Sequence, residues 1–489
     1  RELTTSRKGA FAFAKLNYAP RPEHQGQLAL NAQGGRGFTP TIYGLPRSGD
    51  FDSDELTTDL SARWTSKLDD DRTELEAVLG WPREAFRVRP RGATAATDPY
   101  EVLLFGNLGV WSRLGHEDAA TAAGCADNTG GDPYPLIENC PDAVGHGYRV
   151  GGFGGVVDDR ADRYAARLAL TRRVRALGNH ELKLGLDAED NRLREPRAFT
   201  GGAFFQNFAD RGQIYRTRWI QAGPLGTTDP SFDRTCAHTP AGATTSVAQP
   251  CRYIGQTGDG AVVTGQTVNW AAFLRDSWQL RPNLTINAGL RYEEQRLRFA
   301  EHLRDDLDPV TARPYGKNAV TIGQMWAPRV GALYDWTKVG RSKIYGHWGR
   351  YFESIPMTIN ARSFAGEVSY RQVHAYGECG ESVDGFGGPS GANCPDQGSG
   401  SGDILGINGS LVAPGLRGQF LDEGLLGVEY EILEDLKLGV VYQHRRLGRV
   451  IEDVSTDGAA TYIIANPGEW DPAEEARLEA LERDGGTAL

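Results

Sequence analysis

Residues 283–294 read NLTINAGLRYEE. From Leu284 the even positions Leu284, Ile286, Ala288, Leu290 and Tyr292 are apolar, while Thr285, Asn287, Gly289, Arg291 and Glu293 are polar or small. A period of two is that of a β-strand with one greasy and one wet face. The period alone leaves open whether the greasy face meets a second sheet or lipid.

The neighbouring sequence bears on that choice. Period-two segments come in pairs joined by brief turns, at about 10–19 with 26–34, 57–68 with 73–81, 164–174 with 180–190, 268–280 with the opening stretch, 326–336 with 343–352, and 420–433 with 436–450. Between the pairs lie long connections, at about 36–56, 82–160, 191–265, 300–323 and 354–417. Compact domains rarely carry structureless loops longer than about 12–15 residues. A transmembrane antiparallel β-barrel has this alternation, with short periplasmic turns and long outer loops. The expected fold is therefore all-β, about twelve strands of such a barrel, with 1–470 as barrel wall.

Composition agrees. The 489 residues hold 62 Gly, 25 Pro, 2 Met and 39% hydrophobic residues, and no apolar run approaches the roughly 20 residues of a spanning helix. A spanning strand needs only about 9–11 residues with one apolar face. The net charge of −11 argues against a nucleic-acid partner, which would require a basic surface.

The six cysteines form three pairs of equal spacing, Cys125 with Cys140, Cys236 with Cys251 and Cys379 with Cys394, each inside a long connection. Three loop-local disulfides in an oxidising compartment is the economical reading. Free thiols are the plainer alternative, and the close ligand spacing of a zinc site is missing.

Strand parity then assigns faces. Leu284, Ile286, Leu290, Tyr292, Leu436, Leu438, Val440 and Tyr442 are expected to face lipid; Arg63, Lys67, Arg167, Lys183, Arg291, Glu293, Arg329 and His347 take the inward parity, toward a lumen. Tyr18, Trp278, Tyr334, Trp336 and Tyr345 lie near the short turns, as an interfacial aromatic girdle would. Asp276 and Arg350 fall on the outward parity, which requires a bulge or an interfacial position. Residues 471–486 carry Asp471 as N-cap, Pro472 at the first helical position and Gly485 as a stop, so a short helix is expected there.

The stretch FLRDSWQLRPNLTINAGLRYE (273–293) resembles TonB-dependent outer-membrane receptors. GNHELKLGLDAED (178–190), the segment 327–364 that opens APRVGALYDW, and RRLGRVIEDVSTDGAATYIIANPGE (445–469) resemble the Oar-like branch of that superfamily, best represented in myxobacteria. The resemblance implies a barrel of 22 strands in the bacterial outer membrane, a plug inside it and energisation through TonB. Against that pattern the chain reads as an internal fragment, with the N-terminal plug and the C-terminal closing strands lying outside it.

Motifs for chemistry are thin, and no enzyme is expected. GGFGGV (151–156) lacks the GK[ST] ending of a phosphate loop and reads as a plain loop. His180-Glu181 has no second His four residues on, and Ser277 sits in no nucleophile elbow. No cofactor is expected. Calcium is the least remote ligand, through DFDSDE (50–55) and DDLDP (305–309), although solvated acidic loops explain these stretches more simply.

The expected function is uptake of an extracellular ligand through a plugged barrel. Its partners are outer-membrane lipid and lipopolysaccharide, the protein's own plug, the TonB complex through the N-terminal part, and a ligand the sequence does not name. A non-transporting surface barrel for adhesion or secretion, or a soluble all-β protein, are the rivals.

Overall fold

In the computed structural model the described residues are 4–40, 50–92, 95–104, 147–208, 212–222, 235–238, 247–250, 253–254, 260–305, 315–379, 391–395, 403–405, 411–413, 415–454, 463–469 and 473. Twelve strands form one antiparallel sheet in strict sequence order. They are β1 (Ser6–Arg21), β2 (His24–Thr39), β3 (Phe51–Leu68), β4 (Thr73–Pro90), β5 (Asp158–Arg175), β6 (Asn179–Ala198), β7 (Gly260–Arg281), β8 (Leu284–Arg298), β9 (Asn318–Tyr334), β10 (Ser342–Phe352), β11 (Phe420–Leu433) and β12 (Leu436–Arg449). The sheet does not close on itself: β1 and β12 are its two edges among the described residues.

Each strand pair meets at a short turn on one side of the sheet, and the turn chemistry is local. Asp69, Asp70 and Asp71 all have positive φ, a conformation Asp tolerates better than most residues. Between β9 and β10, the Asp335 carboxylate accepts hydrogen bonds from Thr337 N, Thr337 Oγ1 and Gly340 N at 3.0, 2.6 and 2.7 Å, and from Ser342 Oγ. Asn283, in the neighbouring turn, donates through Nδ2 to the Asp335 carbonyl at 2.8 Å, so the two turns are stitched together.

These donors hold the Asp335 carboxyl far below the usual carboxylate range, the Ser342 hydroxyl foremost. The folded value is depressed, so the stabilisation is complete above the unfolded value near pH 4 and is lost progressively as pH falls below it. Asp335→Asn is accordingly less stable than the parent at pH 7, and the gap narrows as pH falls below about 4. Denaturant titrations at several pH values check this; a gap that ignores pH would contradict it.

The register lays the outward residues in horizontal rows. Ile286 lies opposite Trp278 and Ala332; Leu290 opposite Leu274 and Pro328; Tyr292 opposite Ala272 and Trp326. Aromatic residues bound this apolar belt on both sides. Near the turns Trp278 stacks on His180 with centroids 5.2 Å apart and Trp336 on Tyr430 at 5.8 Å. At the far side Trp81 stacks on Tyr164 at 6.0 Å, and Tyr292 contacts Trp270 at 5.2 Å and Trp326 at 4.8 Å. Trp270 to Trp278 on β7 spans roughly 20 Å of height at normal rise and tilt, close to the about 25 Å apolar band of an outer-membrane barrel.

Several expectations need correcting. The strands run past the upper girdle on the long-loop side: β7 begins at Gly260 instead of about 268 and β4 ends at Pro90 instead of about 81. There the apolar residues change to the inward face, with Phe86 and Val88 on β4 and Ala261 and Val263 on β7, so the outward period-two signal fades although the ladder continues. All of DFDSDE but Asp50 belongs to the start of β3 rather than to a loop, and three of its carboxylates pair with arginines: Asp52 with Arg91, Asp54 with Arg36 and Arg89, Glu55 with Arg7.

The long connections are not structureless. Tyr100–Leu104, Gly147–Gly151, Phe204–Phe208, Gln213–Ala222, Tyr253–Ile254, Glu367–Ala375 and Asp403–Leu405 assemble a second sheet above the barrel wall. A helix, α1 (Met357–Phe364), follows β10.

Asp276 and Arg350 require no bulge, because the register runs unbroken past both. Asp276 Oδ2 meets His180 Nδ1 at 2.7 Å, one row above Trp278. Arg350 makes a two-point bond to Asp422 at 2.8 and 2.9 Å near the outer end of β10. Tyr345 lies on the opposite face from the girdle, since it shares the parity of His347. Of the 471–486 segment only Ala473 is described; 306–309, within the second acidic stretch, lie outside the described residues.

Candidate functional site

The wet face of the sheet carries its charges in rows set by the register. Arg63 (β3), Val78, Arg167 (β5), Asp187 (β6), Ala271 (β7) and Glu293 (β8) stand opposite one another in sequence along one row. Lys67, Glu74, Thr171, Lys183, Arg275, Gly289, Arg329 and Gly349 form another. Cation and carboxylate alternate closely enough to pair. Arg63 reaches Glu76 at 3.0 Å, Lys183 reaches the same carboxylate at 3.9 Å, and Arg167 reaches Asp187 at 3.4 Å. Arg291 bridges Asp187 and Glu293. His347 Nε2 lies 3.1 Å from Glu423, which also takes Arg445.

The structure thus places Arg63, Lys67, Arg167, Lys183, Arg291, Glu293, Arg329 and His347 on one face. Leu284, Ile286, Leu290, Tyr292, Leu436, Leu438, Val440 and Tyr442 share the other.

Five of the eight wet-face residues come together. Arg167, Lys183, Arg291, Arg329 and His347 line one cavity of about 680 Å³ that spans β5 to β10. Arg63 and Lys67, on β3, stand outside it, and Glu293 lies just beyond its lining. Arg275, Lys343 and Tyr351 also line it and were not singled out from the sequence, and Tyr345, expected in the girdle, lines it as well.

Arg275 follows directly from the parity of the FLRDSW segment. Tyr345 follows from the period that turns His347 inward, which outweighs its nearness to a turn. The wall is shaped by glycine: a side chain at Gly185 would strike the ring of Phe273 at 2.5 Å, and one at Gly427 would strike Tyr345. Arg329 has no carboxylate partner among the described residues and lies 4.3 Å over the Tyr351 ring. The cavity therefore presents a surplus of positive charge.

The outer half of the same face is covered by the connection that follows β10. Asn360 of α1 accepts a hydrogen bond from Gln266 N at 2.9 Å and donates to Arg298 O at 3.0 Å. Gly265 admits the helix, because a side chain there would meet Asn360 and Met357 at 3.0 Å. Gln295 exchanges two hydrogen bonds with the Ile355 backbone, at 2.8 and 3.0 Å. Behind these pins Leu297, Phe299, Ile322, Met325, Ile355 and Phe364 form a buried core. A bulge in β9, with Gln324 at φ 57°, brings both Ile322 and Met325 to this face.

One disulfide is described, Cys379–Cys394, in the connection between β10 and β11. Cys379 is fully buried with Phe205 and Ile214 of the second sheet. Cys125, Cys140 and Cys251 lie outside the described residues; Cys236 is described only as part of the strand Thr235–His238.

Comparison with known proteins places these features. The chain is 29% identical to the TonB-dependent transporter Oar of Myxococcus xanthus across 93% of its own length, and spans 42% of that relative. The solved outer-membrane transporter YddB of Escherichia coli matches at TM-score 0.49 and 11% identity, over 94% of this chain and 43% of that one. The P. aeruginosa FpvA structure, with bound pyoverdine and iron, matches at 0.46 and 12%, over 94% and 45%. Residues 120–452, more than half of the chain, match the outer membrane beta barrel domain family. A sheet with one apolar, aromatic-bounded face and one charged face is what that family requires, and the chain belongs to it, as part of a β-barrel of the bacterial outer membrane.

Proposed function

We propose that the chain is the barrel wall of a TonB-dependent transporter that takes up an extracellular ligand. One observation carries the reading: a cation-rich cavity on the water-suited face lies beneath a connection that folds over that same face. A ligand captured among the outer connections would pass α1 and then meet Arg329 and its neighbours. The wall charges are largely paired, which suits contact with a plug outside this chain, and no covalent chemistry is required of them. The Myxococcus xanthus relative, a TonB-dependent transporter, supports the same reading.

The test uses the complete gene in its own cells. A deletion strain and a strain lacking TonB are expected to leave the same solutes unconsumed in the medium. An unchanged uptake profile with altered adhesion or secretion would overturn transport in favour of a surface barrel.

A further inference from the structure

The corner where the second sheet meets the Cys379–Cys394 link gathers more ligand chemistry than a disulfide needs. His374, fully buried, is the penultimate residue of the strand Glu367–Ala375. The chain then makes a single 3-10 turn, Tyr376–Glu378, closed by Cys379 N donating to Tyr376 O at 3.2 Å. A second such turn, Gly391–Asn393, delivers Cys394, whose N donates to Gly391 O at 3.1 Å. That turn is pinned to the sheet, because Gly391 N donates to the Glu101 carboxylate and a side chain at Gly391 would strike the Phe205 ring.

A ring nitrogen of His374 and both sulfurs lie within 4.8 Å of one another. Glu378 adds a carboxylate oxygen 3.4 Å from His374 Nδ1. Ala203, Phe205 and Ile214 pack against the buried Cys379 and hold the group in place. Thiolate sulfur, imidazole nitrogen and carboxylate oxygen are the ligands of tetrahedral zinc, and bonds of that length set the ligand atoms roughly 3.5 Å apart. Small shifts within the corner suffice to reach that spacing once the sulfurs are no longer bonded to each other. The sheet brings His374 to two cysteines that are distant in sequence, so the close spacing of a zinc motif is not needed.

We propose that this corner has two closed states: the disulfide and, after reduction, a divalent cation of the zinc class held by Cys379, Cys394 and His374 with Glu378 beside them. Cys394 is only half-buried, so its sulfur is the one a dithiol reductant reaches. A thiolate of the reductant bonds to Cys394 Sγ, the Cys379–Cys394 bond breaks, and its electron pair stays on Cys379 Sγ. The second thiolate of the reductant then displaces Cys394 Sγ, and the reductant leaves as its own disulfide. Two electrons and two protons have passed to the protein. Zn²⁺ takes both sulfurs as thiolates, and the two protons go to solvent. The cation thereby ties again a loop that reduction has untied. None of these residues lines the wall cavity, so the corner binds metal whether or not the barrel transports.

Cleavage of the full-length protein in lipid vesicles by chymotrypsin, which needs no metal and can cut after Phe386, tests it. Reduced, metal-free protein is expected to be cut within 376–395 roughly a hundredfold faster than the oxidised form. Added Zn²⁺ is expected to restore the slow rate. His374→Asn keeps a polar side chain of similar size: its oxidised form is expected to resist like the parent, while Zn²⁺ fails to protect its reduced form. Independently of that variant, Co²⁺ added to the reduced parent is expected to give tetrahedral, thiolate-bound absorption that reduced Cys379→Ala/Cys394→Ala lacks. Zn²⁺ that leaves cleavage of the reduced parent unchanged, equal protection of His374→Asn, or cobalt spectra that do not differ between parent and the cysteine variant overturns the site.

Discussion

Leu290→Arg in the full-length barrel is expected to cost about 2–4 kcal/mol, whereas Asn287→Arg, three residues away on the same strand, stays within about 0.5 kcal/mol. Leu290 is 45% exposed, in the middle of the apolar belt, in the row of Leu274 and Pro328. An arginine there must leave water for hydrocarbon or bend toward a distant interface. Asn287 is exposed and stands opposite Ser277 and Gly331 on the charged face. Urea titrations of the folded barrel in lipid vesicles read the difference. Similar losses at both positions would mean that both faces are buried alike, as in a soluble sandwich.

The second large effect concerns the Cys379–Cys394 disulfide. Closing a loop of 15 positions restricts the unfolded chain by about 3 kcal/mol in the chain-entropy description. The link also holds together a small core: Cys379 packs with Phe205 and Ile214, and Gly391 N donates to Glu101 at 3.1 Å. Cys379→Ala/Cys394→Ala is therefore expected to raise protease cleavage within 376–395 by roughly a hundredfold, while the barrel's own unfolding transition stays in place. The barrel strands are zipped by their own ladders and do not depend on this corner. Unchanged cleavage would show that the second sheet holds the segment without the link.

Which parts were legible from sequence follows from where the physical signal is local. All twelve wall strands could be read because lipid on one side and water on the other impose a period of two, as at 284–293 and 436–443. The turns could be read because Asp69–Asp71 and Pro282–Asn283 are turn chemistry. The second sheet could not, because most of its pairings cross long separations, as where Gln213–Ala222 lies against Glu367–Ala375, and its local hairpin partner Phe204–Phe208 reads FFQNF, without a period of two. Its burial comes from that partnership and leaves no alternation to find. The helix α1 has eight residues and no side-chain cap, so nothing near it announces it.

The candidate cavity was half legible. Parity gave Arg167, Lys183, Arg291, Arg329 and His347, while Tyr345 was drawn to the girdle by its position beside a turn. The register between β9 and β10 turns it inward.

The central claim is that the sheet separates hydrocarbon from a charged lumen. Its most direct test places a single fluorescent probe in turn at each position from 284 to 293 and measures quenching by brominated lipid tails. The account predicts strong quenching at 284, 286, 288, 290 and 292 and little at the positions between them. Quenching without a period of two, or strongest at 285, 287, 289, 291 and 293, would contradict it.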